Sequence, residues 1–274
     1  MKTIPLLVIF TITAFATAQP VPMIENFQLT GGRWTCSADG RPLSGILLKP
    51  GGNGPFPGIV LSHGLGGNAR MMAANRGPEM VKLGFVCIAT DYTHAGKEGR
   101  VPVGGRGRFA EVDFSTAGAR PENIRRALAC VEILRQQKDV DPRRIAAYGH
   151  SMGAFVTIAL AAETDQLTAA AITAGGVTTD SYQAASAPGA DVAARVRTPF
   201  LILQGSTDVT VPPESAARFK RVLDDHRVPN KMSVFEGVGH NLPGERADEV
   251  NQRMREWFTE CGLLPATGSR RAKP

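Results

Sequence analysis

Arg144-Ile145-Ala146-Ala147-Tyr148-Gly149-His150-Ser151-Met152-Gly153-Ala154-Phe155 is the stretch that decides the fold. It opens as a compact apolar run, turns through Gly149-x-Ser151-x-Gly153, and continues as an Ala-rich segment to about residue 163. The first part predicts a buried strand and the last a helix. A strand-to-helix turn this tight needs glycine at 149 and 153, because side chains there would collide with neighbouring chain. The turn strains the backbone at Ser151, presents its hydroxyl, and sets the N-terminus of the next helix beneath it. Backbone N–H groups at that helix start can bind a developing negative charge.

Outward from this turn the same alternation repeats. Pro57 to Ser62, Phe85 to Thr90, Ala169 to Thr173, Phe200 to Leu203 and Lys231 to Phe235 are further apolar runs of strand length. Helical patterns fall between and after them, at 69–83, 121–138, 213–225 and 246–260. Pro121-Glu122 suits a first helical turn, and Val140-Asp141-Pro142 ends the helix before it. Unbroken apolar strands alternating with helices predict a parallel sheet covered on both faces. Residues 28–50 differ: two short strands around the turn signal Ala38-Asp39-Gly40 predict an antiparallel N-terminal edge. The expected fold class is therefore α/β, a mostly parallel, doubly wound sheet in one domain over 19–264.

Sites in such sheets lie at the carboxyl ends of the strands. The polar residues found there are His63-Gly64-Leu65, Asp91, the Ser151 turn, Gly205-Ser206-Thr207-Asp208 and Gly237-Val238-Gly239-His240. A serine hydroxyl is a poor nucleophile until a base takes its proton. His240 is the candidate base, since two glycines let its loop fold inward. His150, His63, His94 and His226 are weaker candidates by position. Asp208 is the candidate acceptor that would hold the His240 tautomer. Asp180 and Asp191 share its interval, but neither directly follows a buried strand. The order Ser151, Asp208, His240 is the one expected for a nucleophile on this kind of turn. The oxyanion donors expected are the amides of Met152 and of Leu65 (or its neighbour Gly64), in the glycine loop after the Pro57–Ser62 strand.

With these motifs in place, the chain resembles the α/β-hydrolase superfamily, and within it the dienelactone-hydrolase and prolyl-oligopeptidase-like branch. The resemblance spans about residues 40–260. It rests on His63-Gly64-Leu65-Gly66, on Val140 to Ile145 leading to the Ser151 turn, on Gln204 to Asp208 with Val211-Pro212, and on Gly239-His240. It implies the α/β-hydrolase fold and a Ser-His-Asp hydrolase without metal or organic cofactor. Dienelactone hydrolases carry Cys at the nucleophile, and Ser151 here points toward carboxylic esters, small or polymeric. A peptidase or amidase on the same site, and a non-catalytic binding protein on the same scaffold, are the alternatives. Oligopeptidases of this branch carry a propeller domain, for which this chain has no length.

Composition bounds the remainder. Of 274 residues, 43% are hydrophobic and 20% charged, enough for a full core and against global disorder. Residues 1–18 predict a secretory signal: Lys2, an apolar Ile4–Ala16 stretch, and Ala16-Thr17-Ala18 before a cleavage at Gln19. The expected location is thus secreted or periplasmic, and beyond this stretch no apolar run is long enough for stable membrane insertion. That compartment permits disulfides among Cys36, Cys87, Cys130 and Cys261, but Cys87 and Cys130 fall in core-like segments and no pairing is assigned. With no CxxC or Cys/His cluster, no structural zinc is expected. Net charge is +6, with basic residues gathered at Lys97, Arg100, Arg106 and Arg108 and in the tail at 265–274. No nucleic-acid-binding motif accompanies them, so a nucleic-acid partner is not expected. The stretch 92–119, with Tyr92 and Phe109, is either a wall of the substrate pocket or a solvated loop.

Overall fold

A computed structural model describes residues 19–96, 114–178 and 185–266 of the chain. The signal at 1–18, the Lys97 to Arg108 cluster with Phe109, Asp180, and the tail from residue 267 on lie outside the described residues. The strands are β1 (Ile24–Thr30), β2 (Arg33–Ala38), β3 (Arg41–Leu48), β4 (Phe56–Ser62), β5 (Val86–Thr90), β6 (Val140–His150), β7 (Ala169–Thr173), β8 (Phe200–Gly205) and β9 (Asn230–Phe235). They form one sheet in the order β1-β2-β3-β5-β4-β6-β7-β8-β9. From β5 to β9 every pairing is parallel, while β1, β2 and β3 run antiparallel against that edge.

The helices are α1 (Ala69–Leu83), α2 (Pro121–Gln136), α3 (Met152–Glu163), α5 (Pro213–Asp225) and α7 (Ala247–Glu260), with single turns α4 (Ala190–Ala193) and α6 (Leu242–Glu245). Strand alternation divides the core into two layers. Ile145 and Ala147 of β6 pack with α2, α3 and α5 on one face. Ala146 and Tyr148 pack with α1 and α7 on the other. Both sets are buried, which is why the strand is an unbroken apolar run rather than an alternating one.

Local signals account for the ends of α1. Asn68 accepts the Met71 N–H at 2.9 Å as N-cap, and Gly84 closes the helix at φ 100°, a conformation that favours glycine. The Asp91 carboxylate, which follows β5, accepts the Ala69 N–H at 2.6 Å and so also serves this helix start.

Two boundaries differ from the sequence expectation. The antiparallel edge holds three strands, not two, because a further turn at Gly31-Gly32 folds β1 onto β2. β1 is mostly exposed, so its sequence lacks a burial period to mark it. β6 begins at Val140 rather than Arg144. Its pairing with β4 slips between Phe56↔Val140 and Gly58↔Ile145, and this irregularity accommodates Pro142 within a strand. All four cysteines are free thiols, three of them buried. Among the described residues, no helix is long and apolar enough to cross a membrane, and no group of acidic, His or Cys side chains could hold a metal ion.

Candidate active site

The turn after β6 puts Ser151 at φ 56° and ψ −121°, a strained backbone for a residue with a side chain. Neighbouring structure enforces that strain. A Cβ at Gly149 would overlap the Gly153 carbonyl, and one at Gly153 would overlap the Ser62 carbonyl at the end of β4. The Ser151 N–H is committed to the Thr173 carbonyl at 3.0 Å. The Met152 N–H, in the first turn of α3, has no intrahelical acceptor.

Ser151, Asp208 and His240, distant in sequence, meet at this corner. The His240 Nδ1 lies 2.8 and 3.0 Å from the two Asp208 carboxylate oxygens. Carboxylate oxygens only accept, so the proton sits on Nδ1 and the Nε2 lone pair faces outward. Ser151 Oγ is 2.8 Å from Nε2, placed to donate its proton to that lone pair. The Asp208 side chain is fully buried, whereas 27% of the His240 side chain is exposed. Burial by itself would raise the Asp208 carboxyl. Hydrogen bonds from His240 and from the amides of Val211 and Thr210 outweigh it and hold the group below its ordinary range. Val211 and Thr210 each donate at 2.9 Å.

The glycine loop after β4 closes on the same point. A Cβ on Gly64 would stand 3.3 Å from that of Ser151, so the loop backbone lies directly against the serine. Neither the Leu65 nor the Met152 N–H has a hydrogen-bond acceptor among the described residues. The loop is held by two buried histidines. His63 Nε2 accepts the Tyr92 N–H at 3.1 Å, which leaves its Nδ1 to donate to the Gly64 carbonyl at 2.9 Å. His94 Nδ1 accepts the Gly118 N–H, and its Nε2 then donates to the His63 carbonyl at 3.2 Å. The Gly66 N–H in turn reaches the His94 carbonyl at 3.1 Å. Burial pushes both imidazoles below their ordinary pKa, His94 to about 3, with the neighbouring His63 adding to its shift.

The alternative bases separate clearly. His150 points to Thr173 Oγ1 at 3.0 Å, not to Ser151. Its pKa is pushed to about 3 by removal from water and then by His240, whose ring centroid is 5.2 Å away. His226 bonds the Val222 carbonyl at the end of α5. Asp191 lies in the first turn of α4, with no bond to His240. Tyr92 is core: its hydroxyl shares a 2.9 Å hydrogen bond with Ser62 Oγ.

Two residues that the sequence placed at strand ends support the site, a role not assigned to them there. Gln204 Nε2 donates to Asp208 Oδ2 at 3.2 Å and to the Val211 carbonyl at 3.1 Å, locking the acid's loop. Thr173 receives the Ser151 amide and shares hydrogen bonds with Tyr148 and His150. Each is a polar residue closing an apolar strand, the same signal that singled out Asp91. Beside the serine, Met152, Phe155, Ala117 and Val211 are buried together, with Leu65 and Phe114 packed on them, as an apolar patch.

The chain is similar to several known proteins. An uncharacterized protein of Mycobacterium tuberculosis is 29% identical over 268 residues, covering 91% of this chain and 87% of its own. The esterase EstD of Thermotoga maritima is 39% identical over 116 residues, which are 42% of this chain and 26% of EstD. Among solved structures, a putative dienelactone hydrolase of Klebsiella pneumoniae superposes with a TM-score of 0.65 at 20% identity, covering 81% of this chain and 94% of that one. A puromycin-hydrolyzing peptidase of M. tuberculosis superposes at 0.61 with 23% identity, covering 89% of this chain but 40% of the peptidase. At such identities the structural likeness concerns the fold alone. The sequence match is more specific: residues 43–261 fit the model of the dienelactone hydrolase family, from the third strand to the end of the last helix, and the chain belongs to that family.

Proposed function

We propose that the protein is a secreted or periplasmic serine hydrolase that cleaves carboxylic esters through an acyl-enzyme. The observation that carries this reading is the continuous hydrogen-bond path from Ser151 through His240 to Asp208. Ser151 Oγ attacks the acyl carbon while His240 Nε2 takes its proton. Asp208 orients the ring and stabilises the imidazolium without being protonated itself. The carbonyl oxygen, now an anion, is received by the Met152 and Leu65 amides, which have no competing acceptor among the described residues. His240 then returns the proton to the departing alcohol. A water, deprotonated by the same ring, attacks the acyl carbon, and collapse of that adduct frees the acid and restores the Ser151 hydroxyl. The apolar patch of Met152, Phe155 and Val211 suits a hydrocarbon portion of the substrate.

The test is turnover of short p-nitrophenyl esters beside the matching anilides by residues 19–274, with Ser151→Ala as control. Ser151→Ala is expected to lose about 10⁵–10⁶ in kcat, with a residue of activity from the oxyanion site. Equal rates for the two proteins would make the fold a binding scaffold, and faster anilide cleavage would make it an amidase. Export is tested separately: the mature protein recovered from its native host should begin at Gln19.

A further inference from the structure

On the face of the sheet covered by α1 and α7 lies a cavity of about 460 Å³, lined by neither Ser151 nor the glycine loop. Arg76 of α1 stands in its wall and is only 6% exposed. Its guanidinium lies 5.2 Å from the centroid of the Tyr148 ring. One nitrogen, Nη2, donates to Asn251 Oδ1 at 2.7 Å and touches Met254 Sδ at 3.5 Å. Nε is sealed from solvent and has no acceptor among the described residues. Among the described residues Arg76 forms no ion pair, although Glu79 and Asp248 line the same cavity. Glu79 is instead committed to Lys82 at 2.6 Å.

A buried guanidinium without an anion is a costly arrangement, and the usual remedy is a carboxylate or phosphate on its planar fork. Because Asn251 turns its amide oxygen to Arg76, its NH₂ group remains as a second donor beside the guanidinium. We infer that this cavity binds a small monocarboxylate, held by Arg76 and the Asn251 amide. Lys82 offsets Glu79, which leaves Asp248 as the one further charge in the wall; a monoanion sets one carboxylate against Arg76, whereas a dianion would add beside Asp248 a charge that Arg76 cannot offset. His150 also lines the cavity, so the bound carboxylate sits beside His150, one ring removed from His240. The site does not depend on the catalytic reading.

The test is thermal unfolding in acetate or butyrate against chloride and sulfate at matched ionic strength. For the wild type, acetate at about 100 mM should raise Tm by about 2 °C or more over chloride. Arg76→Met should lose that response. Asn251→Asp places a carboxylate on Nη2, so its Tm in chloride should exceed that of wild type and its response to acetate should vanish. The site is refuted if acetate stabilises wild type no more than chloride, or if sulfate does so equally well. An acetate response shared by Arg76→Met reduces it to a solvent effect. Should Arg76→Met fail to fold, Asn251→Asp decides alone: a response equal to wild type overturns the assignment.

Discussion

The rim of the sheet carries two imidazole clusters that differ in their partners and in their exposure. His240 has a buried carboxylate on Nδ1, a hydroxyl on Nε2, and part of its ring exposed. His63 and His94 are buried, and their ring nitrogens meet only backbone groups. Backbone partners fix a neutral tautomer and leave nothing for a proton to be exchanged with. A carboxylate on one side and a hydroxyl on the other make a path. The same side chain therefore braces a loop in one place and is set up to move a proton in the other. Acid partnership and access decide which.

The largest expected effect breaks the His240 side of this contrast. Asp208→Asn keeps the shape of the side chain but removes the charge and can favour the wrong His240 tautomer. It should lower kcat by about 10⁴, measured on any ester the wild type turns over. Next comes the strained turn that both clusters flank. Gly153→Ala drives a methyl into the Ser62 carbonyl, and should destabilise the protein by about 3 kcal/mol or prevent folding, measured by urea unfolding.

A smaller effect probes the bracing cluster. His94→Asn loosens the glycine loop and should lower kcat/KM about tenfold. The shape of the pH–rate profile should stay as in wild type, since His94 is outside the proton path. A moved limb would show instead that the two clusters exchange protons. The last prediction concerns stability. The His94 pKa lies below its ordinary 6.5, at about 3, so the unfolded chain binds the proton more readily than the folded one. Its contribution is then complete above about pH 6.5 and is lost progressively as pH falls toward 3. Tm measured across that window should fall less steeply for His94→Gln than for wild type.

Much of this was legible in the chain. Turn glycines, strand-length apolar runs and the order Ser151, Asp208, His240 are local or ordinal signals, and they led to the α/β arrangement and to the three residues that meet. Strand β1 escaped because an exposed strand has no burial period to betray it. The start of β6 escaped because a proline argues against a strand until a bulge accommodates it. Gln204 and Thr173 stood in the sequence as polar ends of apolar runs, but a hydrogen bond to a residue on another loop leaves no local mark, so their supporting roles were not legible. As side chains, His63 and His94 stood as weaker candidate bases, when their contacts make them supports.

Residue order and hydrophobic period, being properties of neighbours along the chain, specified the layers of this protein and which polar groups end its strands. Packing alone chose the tautomer of each imidazole, sealed Asp208 while leaving His240 partly open, and stranded a guanidinium between α1 and α7. Those outcomes depend on distances between segments far apart in sequence. A buried charge or a ring nitrogen acquires its partner, or lacks one, only when the segments around it have come together.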